Sequence, residues 1–210
     1  QLTFFLIQKK EFNNLITLFS KCNLNLNKVI LKSFVEGVDL INKERKETFF
    51  KVIIYKYKIQ IIFFYNSAFC FYQNFNFGSD IILKDISKVC SLEISKVKKI
   101  ISEQEINISN NSDQILDKKF FENDNLRKVS LKHIHKISSA RIEEIVKIIF
   151  KKNKNLDIYK YDDYALYLYF EDKDIFFKFK KIFKNYFENE KVYLEVLPEN
   201  NILKFLNIFG

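Results

Sequence analysis

Residues 48–78 read "TFFKVIIYKYKIQIIFFYNSAFCFYQNFNFG" and consist mainly of aromatic and β-branched residues. Such side chains suit the pleated, half-buried surface of a sheet, and the run is several times longer than an ordinary strand. The chain must therefore fold back on itself here. Asn66-Ser67 supplies one turn, because short polar side chains tolerate left-handed backbone and bond to their own chain. Lys56-Tyr57-Lys58 supplies a second. The run is expected to form three antiparallel strands, roughly 49–55, 59–65 and 68–77.

The flanks alternate between strand and helix patterns. Residues 2–8, "LTFFLIQ", read as a buried strand, and the next segment places Phe12, Leu15, Ile16 and Phe19 at helical spacing. A short strand is expected at Val29–Leu31, then a short helix or turn at "VEGVDLIN", then a charged connector "NKERKE" at 42–47. Gly78 ends the sheet run. Beyond it Ile86, Val89 and Cys90 form one apolar helical face, and Ser91 is a candidate N-cap for a second helix. Residues 104–125 are rich in Asn, Ser and Asp and read as a loop. A long amphipathic helix follows, with Ile134, Ile137, Ile142, Ile145 and Ile149 near one face. "YALYLYF" (164–170) is a strand, "DIFFKFKKIFKNYF" a helix, and "KVYLEVLP" a strand stopped by Pro198, the only proline; "NNILKFLNIFG" begins a further helix. This order gives an α/β protein with more than one subdomain.

Composition narrows the function. The chain has 210 residues, a net charge of +9 and 24 Phe, with Lys, Asn, Ile and Phe abundant. Those four have A/T-rich codons, so base composition accounts for part of the positive charge. The charge is nevertheless uneven: Lys118 to Lys154 hold eleven Lys or Arg against four acids, a net +7, whereas Asn155 onward holds eight Lys against ten acids, a net −2. Cys22, Cys70 and Cys90 are widely spaced and read as reduced thiols in a cytosolic protein, not as a disulfide framework or zinc site. No apolar run reaches the ~18 residues of a membrane span, and no signal-peptide pattern opens the chain. The absence of Met and the start at Gln1 suggest a fragment of a longer product. His133 and His135 are two apart on a helix, so they face different ways and have no third ligand. Ser138 and Ser139 have no base that helical periodicity would bring to them.

Three stretches together resemble the FtsA family of bacterial cell-division proteins, within the actin/Hsp70 ATPase superfamily. "FNFGSDIILKDISKVCSLEISKVKKI" is similar to the family's strand-glycine junction, followed by its T-x-D-I-A pattern and helix, with Gly78, Ser79, Asp85, Ile86 and Ser87 in those places. "ISSARIEEIVKII" is similar to the A-R-x-E-E-I helix, and "KVYLEVLPENNILKFLNI" to the V-R-I-G-x-P strand and its sequel. "NLITLFSKCNLNLNKVILKSFVEGVDLI" is similar to the stretch leading from the first half of that fold into the second.

The resemblance implies an actin-like (ribonuclease H-like) ATPase fold: a mixed sheet with flanking helices and a small inserted subdomain. On that basis 1–46 would end the first half, 47–84 and 155–210 would form the core of the second, and 85–154 would be a partner-binding insertion. Gly78 and Asp85 would mark the structural turn into it. The resemblance also implies ATP with Mg²⁺, held by a glycine-rich phosphate hairpin and a second glycine-rich loop. Their positions here read "IIYKYKIQ" (53–60) and "FEDKD" (170–174), both without glycine. No bound cofactor, metal or enzymatic turnover is therefore expected of this chain.

Partners follow from the same resemblance. The FtsZ C-terminal peptide would dock on the basic helix through Arg141, with Lys132 and Lys136 as further contacts. A concentrated cationic face steers an acidic peptide, and a guanidinium grips a carboxylate with two bonds. An internal pair of Arg141 with Glu144, three residues on, competes with that role. Self-polymerisation, and membrane attachment through a C-terminal amphipathic helix outside these residues, would place the protein at the cytoplasmic face of the division site. Two other functions compete: a working ATPase of the superfamily, and a basic nucleic-acid-binding protein whose aromatic-Lys strands stack bases.

Overall fold

The computed structural model describes residues 6–104, 114–117, 120–121, 129–154, 156, 164–187 and 191–198. Five strands form one sheet in the order β3-β2-β1-β4-β5: β1 (Phe49–Ile54), β2 (Ile59–Tyr65), β3 (Ala68–Phe75), β4 (Ala165–Phe170) and β5 (Val192–Val196). β1, β2 and β3 are antiparallel neighbours, while β4 runs parallel to β1 and β5 parallel to β4. The expected meander thus forms, with turns at both expected places. Asn66 and Ser67 have φ of 46° and 62°. They are the two central residues of a hairpin joining Tyr65 to Ala68, and positive φ at both is the type I′ geometry that matches strand twist.

Every residue of β1 and β4 is buried, because both faces of the sheet are covered and successive side chains point to opposite faces. Phe50, Val52 and Ile54, with Leu166, Leu168 and Phe170, face the larger core. Phe49 and Ile53, with Tyr167 and Tyr169, face the smaller one. The larger core is closed by α3 (Asp80–Cys90), α4 (Ile94–Glu103), α5 (Leu131–Val146) and α6 (Lys173–Asn185), so residues of the 85–154 segment share a single core with the sheet. α5 continues into a π-helical turn, Lys147–Lys151. Its predicted face is real: Ile134, Ile142, Ile145 and Ile149 are buried, and Ile137 is partly buried.

The smaller core is covered by α2 (Lys32–Glu44). Gly37 lets this helix approach closely, since a Cβ there would lie 1.9 Å from the Phe64 ring. Polar groups are buried in the same seam. Gln60 Nε2 donates to Ser33 Oγ at 2.9 Å, and Lys51 Nζ pairs with Glu36 at 3.5 Å. Burial pushes the Lys51 ammonium pKa down, and Glu36 opposes that shift.

The N-terminal part differs from its expected pattern. α1 (Lys9–Lys21) forms but buries none of its side chains. Val29–Leu31 is not a strand; Val29 is 53% exposed and pairs with no strand among the described residues. Apolar content alone does not make a strand, because its backbone groups need a neighbouring ladder. Leu6, Ile7, Phe12, Leu26, Val29 and Leu31 line an open apolar groove. Ser91 does not cap the second helix. It closes α3 in left-handed backbone (φ 53°), its N–H bonded to Ser87 O, and α4 begins after Glu93. Of the strand expected at 2–8, residues 6–8 are irregular and the rest lie outside the described residues. So do most of the loop at 104–125 and all of the helix expected after Glu199.

Candidate functional site

Two regions hold the residues singled out in the sequence. The first is the seam between α3 and α5. Arg141 lies on α5 with its side chain 25% exposed, and its Nε donates to Asp85 Oδ2 on α3. Its Nη1 donates to Glu144 Oε2 at 2.6 Å, and Glu144 is 54% exposed. The guanidinium is thus shared between an inter-helical and an intra-helical carboxylate. These bonds hold its pKa above the ordinary arginine value, Asp85 being the main cause. Asp85, expected at the turn, lies inside α3 and is the residue that ties this helix to α5.

Lys132 and Lys136 are exposed, one turn apart on α5. At 100° per residue Arg141 is rotated about 180° from Lys132 and about 140° from Lys136. The three cations therefore do not form one patch: Arg141 borders α3, and the lysines lie on the outer face. Sequence periodicity held this information.

His135 and Ser139 form a pair that the sequence reading missed. They are four residues apart on α5, and Ser139 Oγ lies 3.3 Å from His135 Nδ1. Burial lowers the imidazole pKa. Ser138 is buried and donates back to Ile134 O at 2.9 Å, a helix-internal bond. No carboxylate bonds to His135 among the described residues, so the pair lacks the orienting acid of a nucleophilic triad. Among the described residues no group of three His, Cys, Asp or Glu could hold a metal ion.

The second region is the edge of the sheet where β1 and β4 end side by side, Ile54 opposite Phe170. Carboxyl ends of parallel strands are where open α/β sheets bind ligands. The two glycine-free loops identified by resemblance, 53–60 and 170–174, meet here. Gly78 is also here, and its role is close approach, not positive φ. A Cβ on it would lie 2.2 Å from Tyr55 O and 2.6 Å from Lys56 O. The chain after β3 is thereby pressed onto the β1–β2 turn, and Ser79 and Asp80 N–H donate to Tyr55 O and Lys56 O at 2.9 and 3.0 Å.

Several other polar groups of this edge are matched internally as well. Lys56 N–H donates to Glu171 Oε2 at 2.8 Å. Asp172 caps α6 by accepting from Ile175 N–H at 3.1 Å. Lys84 pairs with Asp80 at 2.9 Å. Glu171, which sequence reasoning passed over, is the residue that closes the turn. Its place follows from the parallel pairing of β4 with β1, which no local sequence pattern supplies.

The phosphates of a Mg²⁺-nucleotide do not fit these residues. A phosphate clasp needs backbone N–H groups free to wrap an anion. Here the Lys56 donor is bonded to a carboxylate, and Glu171, Asp172 and Asp80 surround the turn with negative charge.

No family model matches the chain, and no curated protein matches it. Solved structures do. MreB5 of Spiroplasma citri bound to ADP superposes with a TM-score of 0.57 at 10% identity, over 97% of this chain and 66% of that one. Ta0583, an archaeal actin homolog, gives 0.51 at 10% identity, over 89% and 57%. The ethanolamine utilization protein EutJ from Carboxydothermus hydrogenoformans gives 0.50 at 11% identity, over 79% and 48%. The chain therefore has the actin-like ATPase fold, and it spans about half to two thirds of the length of these proteins.

Proposed function

We propose that this chain is part of a scaffold of the FtsA type, which links FtsZ filaments to the membrane at the division site and does not turn over ATP. The actin-like fold supports the coarse assignment, and the three sequence stretches that resemble the family support the finer one. The observation that carries the docking role is the Asp85–Arg141–Glu144 cluster. Asp85 anchors one side of the guanidinium in the seam, while the exposed Glu144 holds the other. An incoming peptide carboxylate takes the place of Glu144 at Nη1 and leaves the α3–α5 tie intact. Lys132 and Lys136, on the outer face, contribute long-range attraction and a salt-dependent on-rate.

The test is binding of a labelled acidic FtsZ-tail peptide. Glu144→Gln is expected to tighten binding several-fold by removing the internal competitor, and Arg141→Glu to abolish it. Lys132→Glu with Lys136→Glu is expected to slow association with little effect on dissociation. Unchanged affinity in both Arg141→Glu and Glu144→Gln removes the assignment.

A working ATPase is the second reading, because the MreB5 structures similar to this chain carry ADP or AMPPNP. The Lys56 N–H held by Glu171 at the β1–β4 edge weighs against it, and a phosphate-release assay with Mg²⁺-ATP decides between the two.

A further inference from the structure

We propose that Glu171 is a built-in anion: its carboxylate takes the place of a phosphate oxygen on the β1–β2 turn and keeps that turn closed against nucleotide phosphates. The proposal rests on the reading of this turn as a former phosphate clasp. The geometry is specific. Lys56 and Glu171 are separated by 115 positions, yet the Lys56 N–H meets Glu171 Oε2 at 2.8 Å. The contact is fixed from both sides by backbone bonds. Tyr55 N–H donates to Lys58 O at 3.0 Å, closing the turn, and Glu171 N–H donates to Ile54 O at 3.0 Å, continuing the ladder from β4 to β1. The sheet therefore sets the Glu171 backbone beside the turn, within reach of the Lys56 amide.

Charge makes the closure selective. The turn carries Lys56 and Lys58, which alone would attract an anion. With Glu171 on the amide, and Asp172 one residue further, an approaching phosphate meets two carboxylates and finds the backbone donor of Lys56 already taken. A hydrogen bond to a carboxylate is about twice as strong as one between neutral groups, so a phosphate gains nothing by exchange. The glycine-free turn at 53–60 and the acid at 171 act together in this closure. Bulky side chains crowd the turn, and the acid satisfies its Lys56 N–H.

The experiment compares the full chain with Glu171→Ala and Glu171→Gln, using inorganic phosphate and Mg²⁺-ATP as probes at matched ionic strength. Calorimetry reads affinity, and the backbone amide resonance of Lys56 reads the site itself. The wild type is expected to bind neither probe at millimolar concentration, with a Lys56 amide shift that phosphate does not move. Glu171→Ala is expected to gain at least tenfold in phosphate affinity, with the Lys56 amide moving on titration. Glu171→Gln keeps an acceptor on the amide and is expected to gain less; it also serves if the alanine variant does not fold. If a folded Glu171→Ala or Glu171→Gln protein gains no phosphate affinity and its Lys56 amide stays still, the built-in anion is refuted while the scaffold reading stands. If the wild type hydrolyses Mg²⁺-ATP and the nucleotide moves the Lys56 amide, both fall. If it hydrolyses Mg²⁺-ATP with that amide unmoved, the scaffold reading alone falls.

Discussion

Substituting Gly78 by Ala isolates close packing from backbone conformation. Its φ is not in the left-handed region, so alanine meets no torsional penalty. The smaller entropy of the unfolded chain would by itself stabilise the variant by ~0.4–1 kcal/mol. The obstacle is the β1–β2 turn. The new Cβ would start 2.2 Å from Tyr55 O, whereas ordinary contact begins at 3.4 Å. The atoms that must yield are backbone, so the segment after β3 has to lift by about an ångström. That movement breaks the bonds from Ser79 and Asp80 to Tyr55 O and Lys56 O, now 2.9 and 3.0 Å. Two neutral hydrogen bonds contribute about 1–3 kcal/mol, and residual overpacking adds about 1–3 kcal/mol. The net expectation is a loss of about 3 kcal/mol, equivalent to a fall in Tm of roughly 6–12 °C for a chain of this size. Urea titration followed by far-ultraviolet circular dichroism, with a parallel thermal melt, measures it. A Gly78→Ala protein within about 0.5 kcal/mol of wild type would refute the claim that close approach fixes glycine here.

Further outcomes follow from single contacts. Ser67→Gly is expected to stabilise by about 1 kcal/mol, because a side chain at φ 62° in the Asn66-Ser67 turn is strained and glycine is not; denaturant midpoints check it. Tyr167 is buried, and its hydroxyl has no hydrogen-bond partner among the described residues. Tyr167→Phe is therefore expected to stabilise by about 1–2 kcal/mol. Burial pushes the Tyr55 and Tyr167 phenols up to about 12. A raised folded-state pKa gives stability that is whole below pH 10 and is lost as pH rises toward 12. Alkaline unfolding is expected in that window, tracked by phenolate absorbance, and Tyr167→Phe should move its midpoint upward.

The sheet was legible because its determinants are local. The 48–78 run carries both its strand residues and its turn residues, so β1, β2 and β3 could be placed from sequence. α5 was legible for the same reason, from isoleucines at helical spacing. What could not be read depends on distant partners. The apolar Val29–Leu31 segment looks like a strand, but a strand requires a neighbour that no local pattern supplies. Ser91 has the right chemistry for an N-cap, yet the Leu92 N–H to Ser87 O bond at 2.9 Å makes it the end of α3. For Arg141 the sequence offered the pair with Glu144, three residues on, and that pair forms. Its other partner, Asp85, lies 56 positions away, and only the packing of α3 on α5 brings them together. Glu171 is a similar case, visible only once β4 is known to lie beside β1.

The parallel pairing of β1 with β4 also constrains the order in which the protein can be made. β1, β2 and β3 leave the ribosome as a contiguous meander, but the β1 edge opposite β2 stays unpaired until residues 165–170 emerge. Closing so long a loop is slow relative to hairpin formation, and an open apolar strand edge invites intermolecular pairing meanwhile. The nascent chain therefore keeps a sticky edge open while the segment between Phe75 and Ala165 is being synthesised.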